Sequence, residues 1–292
     1  MAHDERFDTI EDGVAEAEEL LLRSGFEPLQ VQAAGRGSHH HLFVVEIDRG
    51  PLRLLRMPRK IFSRQSARVL IGEAEAVQRS RPILPVPHPV LLLPNNERPE
   101  ASLIPILPGV RGSDLRNEVG PVVESVCKQL GTALARLHKI ELRSDDRTLI
   151  PELPQYGPER VLLHGDVHLG NILVEREVGN PQITCFLDWS FCHWGPPEVD
   201  LVEMAICEAE PRPRLGRIFY EAYLDAGGLP PRETVLRRAL LTELERRLEV
   251  HEQSHELAAR DIWTRWASAL RRPDANATRV FDAGRAPGRG LV

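Results

Sequence analysis

Between Val161 and Leu187 the apolar positions fall in three short runs, at 161–163, 172–174 and 183–187. The polar loop His164–Gly170 and a turn at Gly179-Asn180-Pro181 separate them. Short apolar runs bounded by Gly, Asn and Pro read as strands. Near the start, Ile10, Val14, Ala17, Leu20 and Leu21 recur at helical spacing and Ser24-Gly25 ends the run, which predicts a surface-packed helix over 10–22. Two strands follow, over 42–47 and 52–57, joined by Asp48-Arg49-Gly50-Pro51, and then a helix over 66–79. Pro82, Pro85, Pro87 and Pro89 impose extended chain before an apolar strand at 90–93. Another strand covers 101–107 and is broken by Pro108-Gly109. From Pro121 the series Val122, Val126, Leu130, Ala133, Leu134, Leu137 gives an amphipathic helix ending near Lys139. Residues 201–270 are helical in pattern, and the polar, Gly- and Pro-rich stretch after Leu270 reads as a frayed tail.

The strand pattern gives meaning to the polar residues between the runs. Asp166, Asn171 and Asp188 therefore sit at the ends of the three strands read from 161–187, which are expected to be neighbours. Phosphoryl transfer needs such a set: one carboxylate to orient an attacking hydroxyl and accept its proton, with a carboxylate and an amide oxygen to hold the magnesium ion that neutralises phosphate charge. Asp166 takes the first role, Asn171 and Asp188 the second. Upstream, Gly35, Gly37 and Ser38 precede a strand, where backbone N–H groups can approach an anion.

The stretch HGDVHLGNILV, followed by FLDWS and GPPEVDL, resembles the aminoglycoside phosphotransferase and choline kinase family, small-molecule kinases with a protein-kinase-like fold. His-Gly-Asp stands in place of His-Arg-Asp, and Asp-Trp in place of Asp-Phe-Gly. The resemblance covers roughly residues 30–205. It implies an α/β (α+β) bilobal fold: an antiparallel β-sheet nucleotide-binding lobe over 1–104, a hinge at 105–109, and a mainly helical catalytic and substrate-binding lobe over 110–292, with ATP in the cleft. It also implies roles by position. Arg56 stands where kinases place the lysine that contacts the α- and β-phosphates, with Lys60 the competing candidate. Ser38 belongs to the loop covering the phosphates, and Glu73 pairs with the strand cation. Pro105 and Pro108 have no N–H to give, which leaves Ile106 and Leu107 as the donors of that turn, and the resemblance points to the Pro105 carbonyl and the Leu107 N–H as the adenine contacts. His164 and Asp200 scaffold the catalytic loop, although Asp200 as a plain N-cap predicts similar burial. The implied reaction is transfer of the γ-phosphoryl group of ATP or GTP, with Mg2+, to a hydroxyl of an antibiotic-like or sugar-bearing molecule, which would inactivate an antibiotic and confer resistance.

Composition narrows the field. A chain of 292 residues, 42% hydrophobic, can bury a large core, and its net charge of −6 without a long basic run argues against nucleic acid. No apolar run approaches the ~20 residues of a membrane helix. The start MAHDERFDTIEDG is acidic and the four cysteines form no CxxC pair, which reads as a cytoplasmic protein with reduced thiols and no membrane partner. The oligomeric state is not written in the sequence.

Three other readings compete. His251-Glu252-Gln253-Ser254-His255 matches HExxH, the zinc-hydrolase helix, but no histidine follows to complete an extended site. His164, Asp166 and His193 resemble the two-His-one-carboxylate iron triad, which wants a mostly β chain. A kinase-like nucleotide-binding protein without turnover would keep the same fold.

Overall fold

In the computed structural model the described residues are 10–36, 40–48, 50–58, 63–94, 98–117, 120–142, 148–177, 180–209, 212–250, 257–272 and 274–281. The chain divides into two compact units. The first holds Met1–Arg81, Val86–Pro108 and Arg147–Ile150, and the second Pro82–Pro85, Gly109–Asp146 and Pro151–Val292.

The first unit is a sheet flanked by helices: α1 (Ile10–Arg23), β1 (Pro28–Arg36), β2 (His40–Ile47), β3 (Arg53–Pro58), α2 (Ser63–Ser80), β4 (Val90–Leu92) and β5 (Ala101–Pro105). The strands pair antiparallel in the order β1-β2-β3-β5-β4. Side chains alternate across a strand, so one face of the sheet carries Phe43, Val45 and Ile47 of β2 and Leu55 and Met57 of β3. Ala17, Leu20 and Leu21 of α1 complete that core. The helix expected to lie on the surface therefore contributes three fully buried side chains. Strand β1 was not legible in the sequence, because among its described side chains only Val31 is buried and Gln30 and Gln32 flank it. At the hairpin between β2 and β3, Asp48 takes φ 52°.

In the second unit the elements are β6 (Val110–Arg111), α3 (Pro121–Leu137), β7 (Val161–Leu163), β8 (Ile172–Glu177), β9 (Asn180–Phe186), β10 (His193–Gly195), α4 (Glu198–Met204), a one-turn π-helix at Ala205–Ala209, α5 (Pro213–Asp225), α6 (Glu233–Val250) and α7 (Leu257–Leu270). The helices from α4 to α7 fill the region read as helical. The strands, however, do not form one sheet. β7 pairs with β10, while β8 and β9 form a hairpin with β6. The expectation of three neighbouring strands thus fails for β7, whose three residues are all buried and whose partner, His193-Trp194-Gly195, carries no alternating apolar signal.

A second correction concerns the tail. A 3-10 turn at Ala277–Phe281 folds back: Phe281 is 1% exposed and stacks on Tyr220 with ring centroids 4.5 Å apart. The Glu233 carboxylate accepts from the N–H groups of Ala277 and Thr278. A polar composition hid one aromatic anchor.

Candidate active site

The catalytic-loop region is built on backbone. His168 opens a 3-10 turn, Leu169–Asn171, by accepting from the Gly170 N–H at 2.9 Å, and the chain enters β8 immediately afterwards. The Asn171 carbonyl accepts from the Leu187 N–H at 2.8 Å, which extends the β8–β9 pairing to the residue before Asp188. The Asn171 side chain turns back, its Nδ2 donating to the Asp166 carbonyl at 2.9 Å and to Asp166 Oδ2 at 2.7 Å. Asp166 and Asn171 are therefore in direct contact, and Asp188 follows Leu187, whose N–H is bonded to Asn171.

Because the Asn171 nitrogen is committed to Asp166, its carbonyl oxygen is turned away and is the atom left to meet a cation. Asp188 takes φ 55°, a left-handed conformation that costs a non-glycine residue of order 1 kcal/mol or more and concentrates at functional positions. Its Oδ1 accepts from the Ser190 hydroxyl at 2.8 Å. The pair offers oxygen donors only, the chemistry that suits a hard divalent cation. Among the described residues no group of three or more His, Cys, Asp or Glu is arranged to hold a metal. The His251-to-His255 motif lies outside the described residues.

Asp166 is a carboxylate poised to accept a proton. Burial raises its pKa, but His168, whose Nε2 stands 3.5 Å from Oδ1, the nearby His164 ring and the Asn171 amide outweigh that cost and hold it below the usual carboxylate value. His164 Nε2 stands 2.8 Å from the Leu187 carbonyl and Nδ1 accepts from the Asp166 N–H at 3.3 Å, with the ring tilted against Trp189. Both nitrogens are thus occupied by backbone, which removes His164 from any iron triad. His193 faces Leu163 across the β7–β10 pair, and burial lowers its pKa.

Asp200 lies three residues inside α4, whose cap is Pro197. Its carboxylate is fully buried and accepts from two loop amides, His164 N–H at 2.9 Å and Gly165 N–H at 2.7 Å. The plain N-cap reading fails, because these donors belong to the loop. Gly165 explains why glycine replaces arginine in the His-Gly-Asp triplet: its φ is +85°, and a Cβ there would stand 1.8 Å from the Phe191 carbonyl oxygen.

In the first unit, Arg56 Nη1 donates to Glu73 Oε1, joining β3 to α2 on the sheet face opposite the α1 core. Both side chains are over nine-tenths buried. Lys60 and Ser38 lie outside the described residues. Glu75, two residues on, accepts from Arg79 Nε at 3.0 Å, Thr148 Oγ1 at 2.8 Å and Leu149 N–H at 2.9 Å. Pro105 ends β5. The Ile106 N–H reaches the Leu52 carbonyl at 3.5 Å, so of the two donors in that turn the Leu107 N–H is the one with no partner among the described residues. Sequence reasoning also passed over His138 and Tyr223. A histidine just beyond the apolar stripe of α3 was the one signal for the first, and a tyrosine within the periodicity of α5 gave none for the second.

Residues 142–236, which contain the whole catalytic-loop region, match the model of the phosphotransferase enzyme family, and the resemblance drawn from HGDVHLGNILV holds. Comparison with curated protein sequences finds no match. Among solved structures the chain is similar to a macrolide 2'-phosphotransferase from Brachybacterium faecium (20% identity, 89% of this chain and 98% of that one, TM-score 0.59). It is similar also to a type I macrolide 2'-phosphotransferase (17% identity, 87% and 96%, TM-score 0.60). A third is an amicoumacin kinase in complex with AMP-PNP, Ca2+ and amicoumacin (15% identity, 92% and 95%, TM-score 0.58). The fold is that of the protein-kinase-like phosphotransferases, as the sequence led one to expect.

Proposed function

We propose that this chain, whose residues 142–236 match the phosphotransferase enzyme family, is a small-molecule kinase that transfers the γ-phosphoryl group of ATP or GTP to a hydroxyl of an antibiotic-like or sugar-bearing acceptor. The observation that carries the reading is the contact of Asn171 Nδ2 with Asp166 Oδ2 at 2.7 Å, with the Asn171 carbonyl bonded to Leu187, the residue before Asp188. It groups a proton acceptor with two oxygen donors, as in-line phosphoryl transfer requires.

Asp166 orients the acceptor hydroxyl and takes its proton, and its lowered pKa keeps it deprotonated at neutral pH. Asn171, through its carbonyl oxygen, and Asp188 hold the divalent cation. Bound Mg2+ would neutralise charge on the phosphate oxygens. His164 and Asp200 fix the loop that carries the base. In the first unit Arg56, held by Glu73, faces the phosphates with a two-pronged cation. The Leu107 N–H and the Pro105 carbonyl read the base, and Ser38 serves the phosphate-covering loop.

The acceptor class draws support from the neighbours, which act on macrolides and amicoumacin. Others were solved with GDP and kanamycin or with gentamicin, which keeps GTP in play as donor. The role is inactivation of an antibiotic in the cytoplasm; among the described residues no helix is long and apolar enough to cross a membrane. The test is a transfer assay with γ-labelled ATP and GTP over a panel of macrolides, aminoglycosides and nucleoside antibiotics. A labelled, Mg2+-dependent product is expected. Tight nucleotide binding with no product and no phosphate release across the panel would instead point to a binding protein.

A further inference from the structure

The Asp200 carboxylate accepts a third hydrogen bond, from a residue that has no part in the machinery above. His138 Nε2, one residue past α3, stands 3.1 Å from Asp200 Oδ2. Its other nitrogen, Nδ1, stands 3.1 Å from the Tyr223 hydroxyl on α5. A carboxylate can only accept, so the proton belongs on Nε2, and Nδ1 accepts from the Tyr223 O–H. From the Tyr223 hydroxyl the donors run through His138 to Asp200, where they meet the His164 and Gly165 N–H groups donating to the same carboxylate from the other side.

The chain is dry and clamped. Tyr223 and Asp200 are fully buried and His138 is 8% exposed. Burial, and the charges of Glu198 and Asp200 after it, raise the Tyr223 pKa and keep its proton in place. Gly228 packs on the ring so closely that a Cβ there would stand 2.4 Å from it. The Gly228 N–H also bonds the Tyr223 carbonyl at 2.9 Å. Inside a protein such chains polarise their members and cost heavily when one link is lost.

We infer that Tyr223, acting through His138 and Asp200, is a positioning residue that holds the Gly165-Asp166 backbone in register for phosphoryl transfer. The inference rests on the kinase reading for its catalytic consequence, and on hydrogen bonds alone for its structural one. Tyr223→Phe keeps the ring and removes one hydroxyl. His138→Gln keeps one donor and one acceptor, whereas His138→Leu keeps neither.

The experiment pairs two readouts on the full chain: amide hydrogen exchange at residues 164–166, and phosphate release from MgATP. Losing one link worth about 1 kcal/mol should raise exchange at 164–166 by about fivefold in Tyr223→Phe and more in His138→Leu, with exchange in mid-α3 unchanged. Turnover should fall by a similar factor at unchanged KM for MgATP, and His138→Gln should restore both readouts towards wild type. Wild-type exchange at 164–166 in Tyr223→Phe would overturn the inference, as would His138→Gln behaving like His138→Leu. If the wild type releases no phosphate, the kinase reading fails while the exchange data still decide on the relay.

Discussion

At the residue scale, the site is a set of side chains each held by something other than its proposed ligand. Asp188 sits in left-handed backbone with Oδ1 on Ser190, and Asn171 presents its oxygen because its nitrogen is taken by Asp166. Asp188→Ala should abolish the Mg2+-dependent part of nucleotide affinity; titration calorimetry giving the wild-type constant with Mg2+ would contradict the assignment. Arg56 and Glu73 allow a sharper separation of stability from function. Breaking a buried pair strands a charge, so Arg56→Ala should lose about 3–5 kcal/mol in urea unfolding, whereas Arg56→Met with Glu73→Leu should unfold near the wild-type midpoint. If Arg56 serves only the fold, that double variant will bind nucleotide normally; the phosphate role predicts that it will not. Motif spacing made these residues legible. It left Glu75 unread, because its partners Thr148 and Leu149 are more than seventy positions away.

At the element scale, what the sequence showed and what it hid divide along local and non-local lines. Helices α1, α2 and α3 and strands β2, β8 and β9 carry their own periodicity, and each was recognisable within a few residues of its observed ends. Strands β1, β6 and β10 were not. β6 and β10 are only two or three residues long and exist because a distant partner completes them, while β1, paired with the next strand, has a single buried side chain among its described ones. The loop between β7 and β8 depends on such completion too, since Gly165 lies against Phe191. Gly165→Ala combines a left-handed φ with a contact that cannot be made, so it should lower stability by about 2–5 kcal/mol. Thermal melting should show the loss as a fall of several degrees, and an unchanged melting temperature would mean that the loop lies elsewhere.

For the whole molecule, the family match spans the loop, Asn171, Asp188 and α4 but not the sheet and helices of the first unit, where the nucleotide-binding assignments rest on the fold and the resemblance alone. The acceptor stayed unreadable because it depends on how helices far apart in sequence converge, as the buried Phe281 against Tyr220 illustrates. All of the functional argument meets at one atom group, the Asp166 carboxylate. The most direct measurement is single-turnover transfer from MgATP to the acceptor found in the screen, by the wild type and by Asp166→Asn. Loss of a general base predicts a rate lower by ~10²–10⁴ with nucleotide affinity unchanged; a variant that transfers phosphate at the wild-type rate would contradict the account.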